Sequence, residues 1–308
     1  MNVLITGGAG FLGTHIVDML LSEENQVFII DNYETASRDS LTPNKTLTII
    51  EGSITDKALM KSLFNSATPD LVIHAAASYK DPHDWEKDID VNIHGTAITV
   101  NEAIRHGVKR FIYLQTALCY GAAKERPITL NHPLRPITSY SITKTAGEHY
   151  LTISELSYVS LRLANIYGAR HFSGPIPTFY RKVKNDEQVT IYDTSRDFID
   201  IKDFLSLLRK TIDRPEISGC FNVSSGVDTP VKEIYRLVAE HLSYNKPEMV
   251  NLLPLISEDV ASLLLDPSET KKTFNWECKI SLNEGLGNLL SWYDDNEIGE
   301  TYTHLRIK

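Results

Sequence analysis

The chain has 308 residues, 42% apolar and 23% charged, with a net charge of −9. That is ordinary globular composition, and its acidic balance argues against a general nucleic-acid or anionic-membrane surface. Three cysteines, Cys119, Cys220 and Cys278, lie far apart with no CxxC spacing, which fits a reduced, cytoplasmic protein without a structural metal.

The first 31 residues carry the most information. Asn2-Val3-Leu4-Ile5-Thr6 is a short apolar run, and Gly7-Gly8-Ala9-Gly10-Phe11-Leu12-Gly13 is a glycine turn. Thr14 to Leu21 has helical periodicity, and Gln26 to Asp31 is a second apolar run ending in a carboxylate. The pattern is strand, phosphate loop, helix, strand, acid. Gly7 allows the tight turn, Gly10 lets backbone approach a pyrophosphate, and Gly13 lets helix and strand pack closely. Phe11 and Leu12 then supply N–H groups at the positive end of a helix. Asp31 stands where a carboxylate takes the adenosine ribose hydroxyls and repels a 2′-phosphate, so the expected cofactor is NAD. The other reading is a glycine turn kept for packing. The apolar start has no basic leader and is interrupted by glycines, so it does not read as a signal peptide. No segment approaches the roughly 18 uninterrupted apolar residues of a membrane span.

A polar loop follows from Asn32 to Asn44, then a third strand from Leu47 to Glu51. Asp56 to Asn65 reads as a helix with Leu59, Met60, Leu63 and Phe64 on one face. Asp70 to Ala76 is a buried strand running into small residues, Asp90 to His106 a long helix, and Arg110 to Leu114 the next strand. Strands alternating with helices at this spacing predict an α/β fold with a doubly wound parallel sheet. Ligands then bind beyond the carboxyl ends of the strands, where the glycine loop, Asp31, His74 to Ser78 and Gln115 to Tyr120 all fall.

Ser139 opens another helix, continuing to about Ser154, and Val159 to Leu163 is a strand. Gly174-Pro175-Ile176-Pro177 is read as a break, with a helix from Phe179 to Lys184 after it. The expected division is a nucleotide-binding domain over 1–168 and a smaller lobe over 169–308. Segments near 190–225, such as Phe221-Asn222-Val223, partly return to the first domain. Glu297 to Lys308 reads as a polar arm or tail.

Tyr140 and Lys144 are four residues apart and share a helix face. A lysine ammonium beside a phenol favours the phenolate, which would bring a base of pKa near 10 toward working pH. Thr116, at the end of a neighbouring strand, is placed to hydrogen-bond a reacting hydroxyl. A surface helix pair is the plainer reading of Tyr140 and Lys144. His74 reads as a structural histidine, and Cys119 as packing.

These motifs resemble the extended short-chain dehydrogenase/reductases that act on nucleotide sugars, over nearly the whole chain. The shared landmarks are the Gly7-x-x-Gly10-x-x-Gly13 loop, Asp31-Asn32, His74-Ala75-Ala76 and Val91-Asn92-Ile93-His94-Gly95-Thr96. They continue with Tyr120-Gly121, Tyr140-x-x-x-Lys144, Leu161 to Gly168, Arg196-Asp197-Phe198 and Phe221 to Gly226. The stretches Ala75 to Pro82 and Gln115 to Gly121 look closest to epimerase-like proteins of bacterial surface-polysaccharide pathways. The resemblance implies a Rossmann sheet with a substrate-binding C-terminal lobe. It implies Tyr140 as acid/base, Lys144 as its tuner and nicotinamide-ribose ligand, and Thr116 as their partner. It extends the NAD contacts to Asn32, Ser53, Ile54, Ala75, Ala76, Ala77 and Asn92. It gives Ser78, Lys80, Thr116, Asn165 and Arg196 to a nucleotide-diphosphate sugar, UDP-linked by expectation. A guanidinium suits a pyrophosphate; an ion pair with Asp197 or Asp200 is the alternative for Arg196. The resemblance also implies a homodimer through helices around Asn92 to His106 and Tyr140 to Ser154.

Three departures matter. Family 4,6-dehydratases place an Asp-Glu pair just after the threonine, and decarboxylases a glutamate, where this chain has Ala117 and Leu118. Ser53 replaces a frequent aspartate. No arginine stands near Ile256, where relatives often carry a second phosphate ligand. The reading that follows is an NAD-dependent 4-epimerase acting through a transient 4-keto sugar. A dehydratase with an unusual acid, a 4-keto-sugar reductase and a non-catalytic NAD-binding scaffold are the alternatives.

Overall fold

The computed structural model describes residues 1–255 and 260–301. The chain opens with β1 (Asn2–Thr6), α1 (Phe11–Ser22), β2 (Gln26–Asp31), β3 (Leu47–Glu51), α2 (Lys57–Ala67) and β4 (Leu71–His74). A short helix α3 (Trp85–Asp88), a π-helical stretch (Ile89–Gly95) and α4 (Thr96–Arg105) run on without interruption. Then come β5 (Arg110–Thr116), α5 (Ser139–Thr152), β6 (Tyr158–Leu163), β7 (Asn165–Tyr167) and α6 (Pro175–Lys184). Next are β8 (Val189–Tyr192), β9 (Ser195–Arg196), β10 (Phe198–Asp200), α7 (Ile201–Asp213) and β11 (Gly219–Val223). The last elements are β12 (Thr229–Pro230), α8 (Val231–His241), β13 (Val250–Leu253), β14 (Ser262–Leu263), α9 (Ser268–Phe274) and α10 (Leu282–Asp295).

Seven strands form one sheet in the order β11-β6-β5-β4-β1-β2-β3. The β1–β2, β1–β4, β2–β3 and β4–β5 pairs are parallel. The order reverses at β1, which lies between β2 and β4, so the crevice at this switch point opens beside the residues that follow β1 and β4. Helix starts are chemically marked. The Asp56 carboxylate accepts from Ala58 and Leu59 N–H at α2, and Thr138 and Ser141 form a reciprocal cap at α5.

The helix expected over Asp90 to His106 begins earlier, at Trp85, where Asp84 accepts from Lys87 N–H at 3.1 Å. Its middle is π-helical, which no sequence period signals. Gly174 to Pro177 is not a break. Gly174 caps α6, and Pro175 takes the first helical position, where a missing N–H is no loss.

The chain divides into two units, each drawn from separate stretches of sequence. The first unit takes 1–119, 136–162 and 205–221; the second takes 120–135, 163–204 and the described residues from 222 onward. Residues 120–135 join the second unit because Ile128 N–H donates to Leu264 O, and Asp266 N–H to Ile128 O. Residues 163–168 join it through the parallel β7–β10 pair.

In the first unit, Leu4, Ile30, Val72, Phe111 and Tyr113 of the strands pack with Met60, Leu63 and Phe64 of α2 and Ile98 and Ala103 of α4. Each Leu, Ile, Val, Phe or Met among them contributes about 1.5–3 kcal/mol on burial. In the second unit, α6, α8 and α10 share a core of Phe179, Val183, Ile234, Val238, Leu286 and Leu290. Among the described residues no helix is long and apolar enough to cross a membrane.

One buried ion pair anchors the helix that matters most. Arg162 Nη2 donates to Glu148 Oε1 at 2.6 Å and Nε to Oε2 at 3.2 Å, with Ser160 Oγ donating to the same Oε2. This ties α5 to β6. Glu148→Gln leaves the guanidinium buried without its counter-charge, so it should cost about 3 kcal/mol, read as a lower urea midpoint.

Candidate active site

The glycine loop is built by backbone crowding. Gly7 has φ +70°, a left-handed conformation that glycine adopts freely, and a Cβ there would lie 2.7 Å from Ala76 N. A Cβ on Gly13 would fall 2.2 Å from the Gly7 carbonyl oxygen. The contact that demands Gly13 is therefore with the loop's own backbone, rather than with the strand. Gly10 differs: an added Cβ would meet nothing nearer than Gly7 O at 3.5 Å. The protein itself leaves that side open, which is where a ligand can approach bare backbone. Gly10 caps α1 without a side-chain hydrogen bond, and the first turn holds no acidic residue. The helix thus offers its positive end and N–H groups, starting with Phe11 and Leu12, to an anion.

Asp31 accepts from Ala9 N–H at 2.9 Å and Tyr33 N–H at 2.8 Å, one on each oxygen. Burial raises its carboxyl above the usual range, and these bonds oppose the rise. Each oxygen keeps a lone pair for a ribose hydroxyl. Asn32 Oδ1 accepts from Glu34 N–H. Two expected cofactor contacts have local partners of their own. Ser53 Oγ is paired with Thr55 Oγ1 at 2.8 Å and accepts from Thr55 N–H, closing a local turn. Ile54 is buried in the core, against the backbone of Gly95, so only its main chain is left to face a ligand.

Past β4 the small residues are pinned. Ala75 N–H donates to Thr6 O, and Ala76 N–H to Thr6 Oγ1; Ala77 follows without a bulky side chain. Thr96 Oγ1 donates to Asn92 O, so it accepts from His74 Nε2. His74 Nδ1 then accepts from Thr6 Oγ1 at 2.8 Å. Burial holds this imidazole well below its ordinary pKa, with Lys144 adding to the effect. His74 is a neutral, structural residue. Asn92 also has a structural task. It is fully buried; its Oδ1 accepts from Ser78 N–H, and its Nδ2 donates to Ser78 O and Thr143 Oγ1. Its side chain fixes the Ser78 loop to α5. Lys80 lines a cleft with Glu34, Ser78, Asp84 and Lys87.

The carboxyl end of β5 is locked to α5. Tyr113 OH and Gln115 Nε2 both donate to the Lys144 carbonyl, at 2.9 and 3.0 Å. Thr116 N–H donates to Gln115 Oε1, and Thr116 Oγ1 accepts from Leu118 N–H at 3.2 Å. The Lys144 ammonium lies 4.0 Å from the centre of the Tyr113 ring, a cation–π contact. Burial pushes Lys144 down to about 7, with Glu148 opposing the shift. Tyr140, one helical turn earlier, packs near Tyr79, with ring centres 5.9 Å apart. The expected lowering of the Tyr140 phenol by Lys144 is not what this structure holds. Burial raises the phenol, and the charge of Asp88 raises it further. Sequence reading missed Tyr113 and Gln115; they were visible only as strand residues before Thr116. It also missed Asp88, which fell outside the expected helix.

Asn165 and Arg196 belong to the second unit. Asn165 Nδ2 and its backbone N–H both donate to Asp197 O, and Arg196 Nη1 donates to Ser195 O and Val260 O. The Asp197 carboxylate binds Ser225 Oγ, Ser225 N–H and Ser224 Oγ. The expected gap near Ile256 lies outside the described residues.

Residues 3–224 match the NAD dependent epimerase/dehydratase family. The Bordetella bronchiseptica enzyme WbmG, crystallised in complex with NAD and UDP, is 40% identical to this chain. The two superpose with a TM-score of 0.94, covering 100% of this chain and 99% of the other. UDP-glucose 4-epimerase of Halalkalibacterium halodurans is 28% identical, covering 97% of each chain. dTDP-D-glucose 4,6-dehydratase of Mus musculus is 25% identical over 96% of this chain and 89% of its own.

Proposed function

The chain belongs to the NAD-dependent epimerase/dehydratase family, and from that premise we propose that it interconverts the C4 epimers of a UDP-linked hexose or hexuronate. The observation that carries this reading follows Thr116. Ala117 is buried, Leu118 is half-buried, and neither can move a proton. Water elimination from the sugar lacks its acid and base there, whereas epimerisation needs only a group that works on the 4-hydroxyl.

NAD supplies the redox chemistry, taking a hydride from C4 and giving one back. The glycine loop and α1 hold its pyrophosphate, and Asp31 its adenosine ribose. Tyr140, as phenolate, removes the 4-hydroxyl proton, and Thr116 donates a hydrogen bond to the same oxygen. Lys144 holds the nicotinamide ribose and places positive charge beside the phenolate. The resulting 4-keto sugar turns about its link to the nucleotide diphosphate, presenting its other face. Tyr140 then returns the proton. Ser78 and Lys80 face the sugar, and Asn165 and Arg196 serve the nucleotide diphosphate.

The enzyme works as a homodimer paired through α4 and α5. Support comes from Ile89, Ile104, Ile142, Tyr150 and Ile153, exposed apolar residues on or beside these helices, with Ile153 79% exposed. Three free thiols fit a cytoplasmic, reducing site of action.

Incubation of the purified protein with UDP-hexoses and UDP-hexuronates, followed by proton NMR, tests the reading. One pair of C4 epimers should approach the same equilibrium from either side. Unchanged sugar in every case, or a 4-keto-6-deoxy product, would overturn it.

A further inference from the structure

Asp31 ends β2 and Glu51 ends β3, and the two are register partners across this parallel pair. Adjacent strands lie about 4.8 Å apart, so the two carboxylates leave the sheet side by side. A Rossmann site admits NADP through an arginine near the ribose 2′-position, and this chain has one at hand. Arg38 lies in the polar loop after β2, with its guanidinium 5.1 Å from the centre of the Tyr33 ring. Tyr33 in turn donates its N–H to Asp31 Oδ1 at 2.8 Å. It holds φ +57°, a left-handed conformation that is uncommon for a bulky residue. The arginine is nevertheless occupied. Its Nε donates to Glu51 Oε2 at 3.3 Å and its Nη2 to Glu51 Oε1, so two donors of the fork face one carboxylate. We propose that Glu51 is a cofactor-specificity residue: by holding the Arg38 fork, it withholds from a 2′-phosphate the cation that would bind it. NAD is then selected by two carboxylates, Asp31 by contact and Glu51 through Arg38.

Fold stability does not account for the pair. The Arg38 and Glu51 side chains are 66% and 55% exposed, and an ion pair so exposed adds little to folding. What it changes is the potential beside Asp31. A free guanidinium there would offset the Asp31 carboxylate and attract a phosphate; a guanidinium closed on Glu51 does neither. A second cation is treated in the same way. Lys87 of α3 is paired with Glu34, three residues past Asp31. Each of these two cations thus answers to a glutamate, and Asp31 keeps its negative charge for the ribose hydroxyls.

The inference rests on the placement of the adenosine ribose at Asp31, and its test separates the two without reference to the sugar. The holoenzyme is equilibrated with NAD and a large excess of NADP, and the dinucleotides that stay bound are measured by mass spectrometry. Glu51→Gln should raise the bound NADP-to-NAD ratio about tenfold, with the thermal midpoint unchanged. Glu51→Ala, which keeps no acceptor for the guanidinium, should raise it at least as much. Adding Arg38→Ala to Glu51→Gln should bring the ratio back near wild type, because the gain comes from the freed guanidinium. Asp31→Asn should raise the ratio by itself, and Asp31→Asn with Glu51→Gln should exceed either alone. A wild-type ratio in both Glu51 variants, or a gain that survives Arg38→Ala, would overturn the proposal even if Asp31→Asn behaves as expected. If Asp31→Asn leaves the ratio unmoved while Glu51→Gln raises it through Arg38, the ribose placement fails and the role of Glu51 stands.

Discussion

Tyr140→Phe should lower sugar interconversion by about a thousandfold, within the range a positioned proton-transfer group supplies. The substitution removes one oxygen from a half-buried ring and leaves the rest of α5 in place. The cap at Thr138 and Ser141, the Glu148–Arg162 pair and the bonds from Tyr113 and Gln115 to the Lys144 carbonyl do not involve the phenol oxygen. NAD should therefore remain bound, and circular dichroism should not change. Lys144, held near 7 by burial, cannot replace the phenol, because its ammonium sits over Tyr113. Activity within threefold of wild type would remove Tyr140 from the chemistry.

Gly13→Ala should be severely damaging for a single methyl group. The new carbon would lie 2.2 Å from the Gly7 carbonyl oxygen and 2.7 Å from Gly8 C. Both neighbours are backbone, so no side-chain rotation relieves the clash. α1 must lift, or the loop must open. Overpacking of this kind costs about 1–3 kcal/mol, and the same movement dismantles the phosphate cradle. NAD affinity should drop at least about a hundredfold, roughly 2.7 kcal/mol, measured by titration of the stripped protein. Gly10→Ala is the informative contrast. Its nearest protein neighbour is 3.5 Å away, so it should fold normally and lose affinity only through its contact with the ligand.

The alternation of strands and helices was legible because each element carries its own period and punctuation. Asp56 and Thr138 mark helix starts, and the apolar runs of β1, β2 and β4 mark buried strands. The strand ends that carry the site followed from those elements and from the glycine turn placed after β1. What stayed hidden depends on residues distant in sequence. Asn92 stands on a landmark, and its side chain also closes the Ser78 loop against Thr143, a contact 51 residues away. The π-helical stretch has no spacing of its own, so the helix start was misplaced and Asp88 was passed over. The Gly-Pro-Ile-Pro stretch misled for the opposite reason. Proline breaks a helix inside but fits its first turn, and sequence alone did not say which side of the boundary it lay on. The place of residues 120–135 in the second unit depends on Ile128 bonding to Leu264 and Asp266, a pairing that no local pattern announces.

The central claim is that the hydride returns to the carbon it left. It is tested most directly with a UDP-hexose or UDP-hexuronate substrate carrying deuterium at C4, followed by NMR and mass spectrometry. The C4 epimer should form with the deuterium still at C4, no solvent hydrogen should enter the ring, and no reduced cofactor should accumulate. Formation of a product that has lost the C4 deuterium, or has gained solvent hydrogen at C5 or C6, would contradict the account.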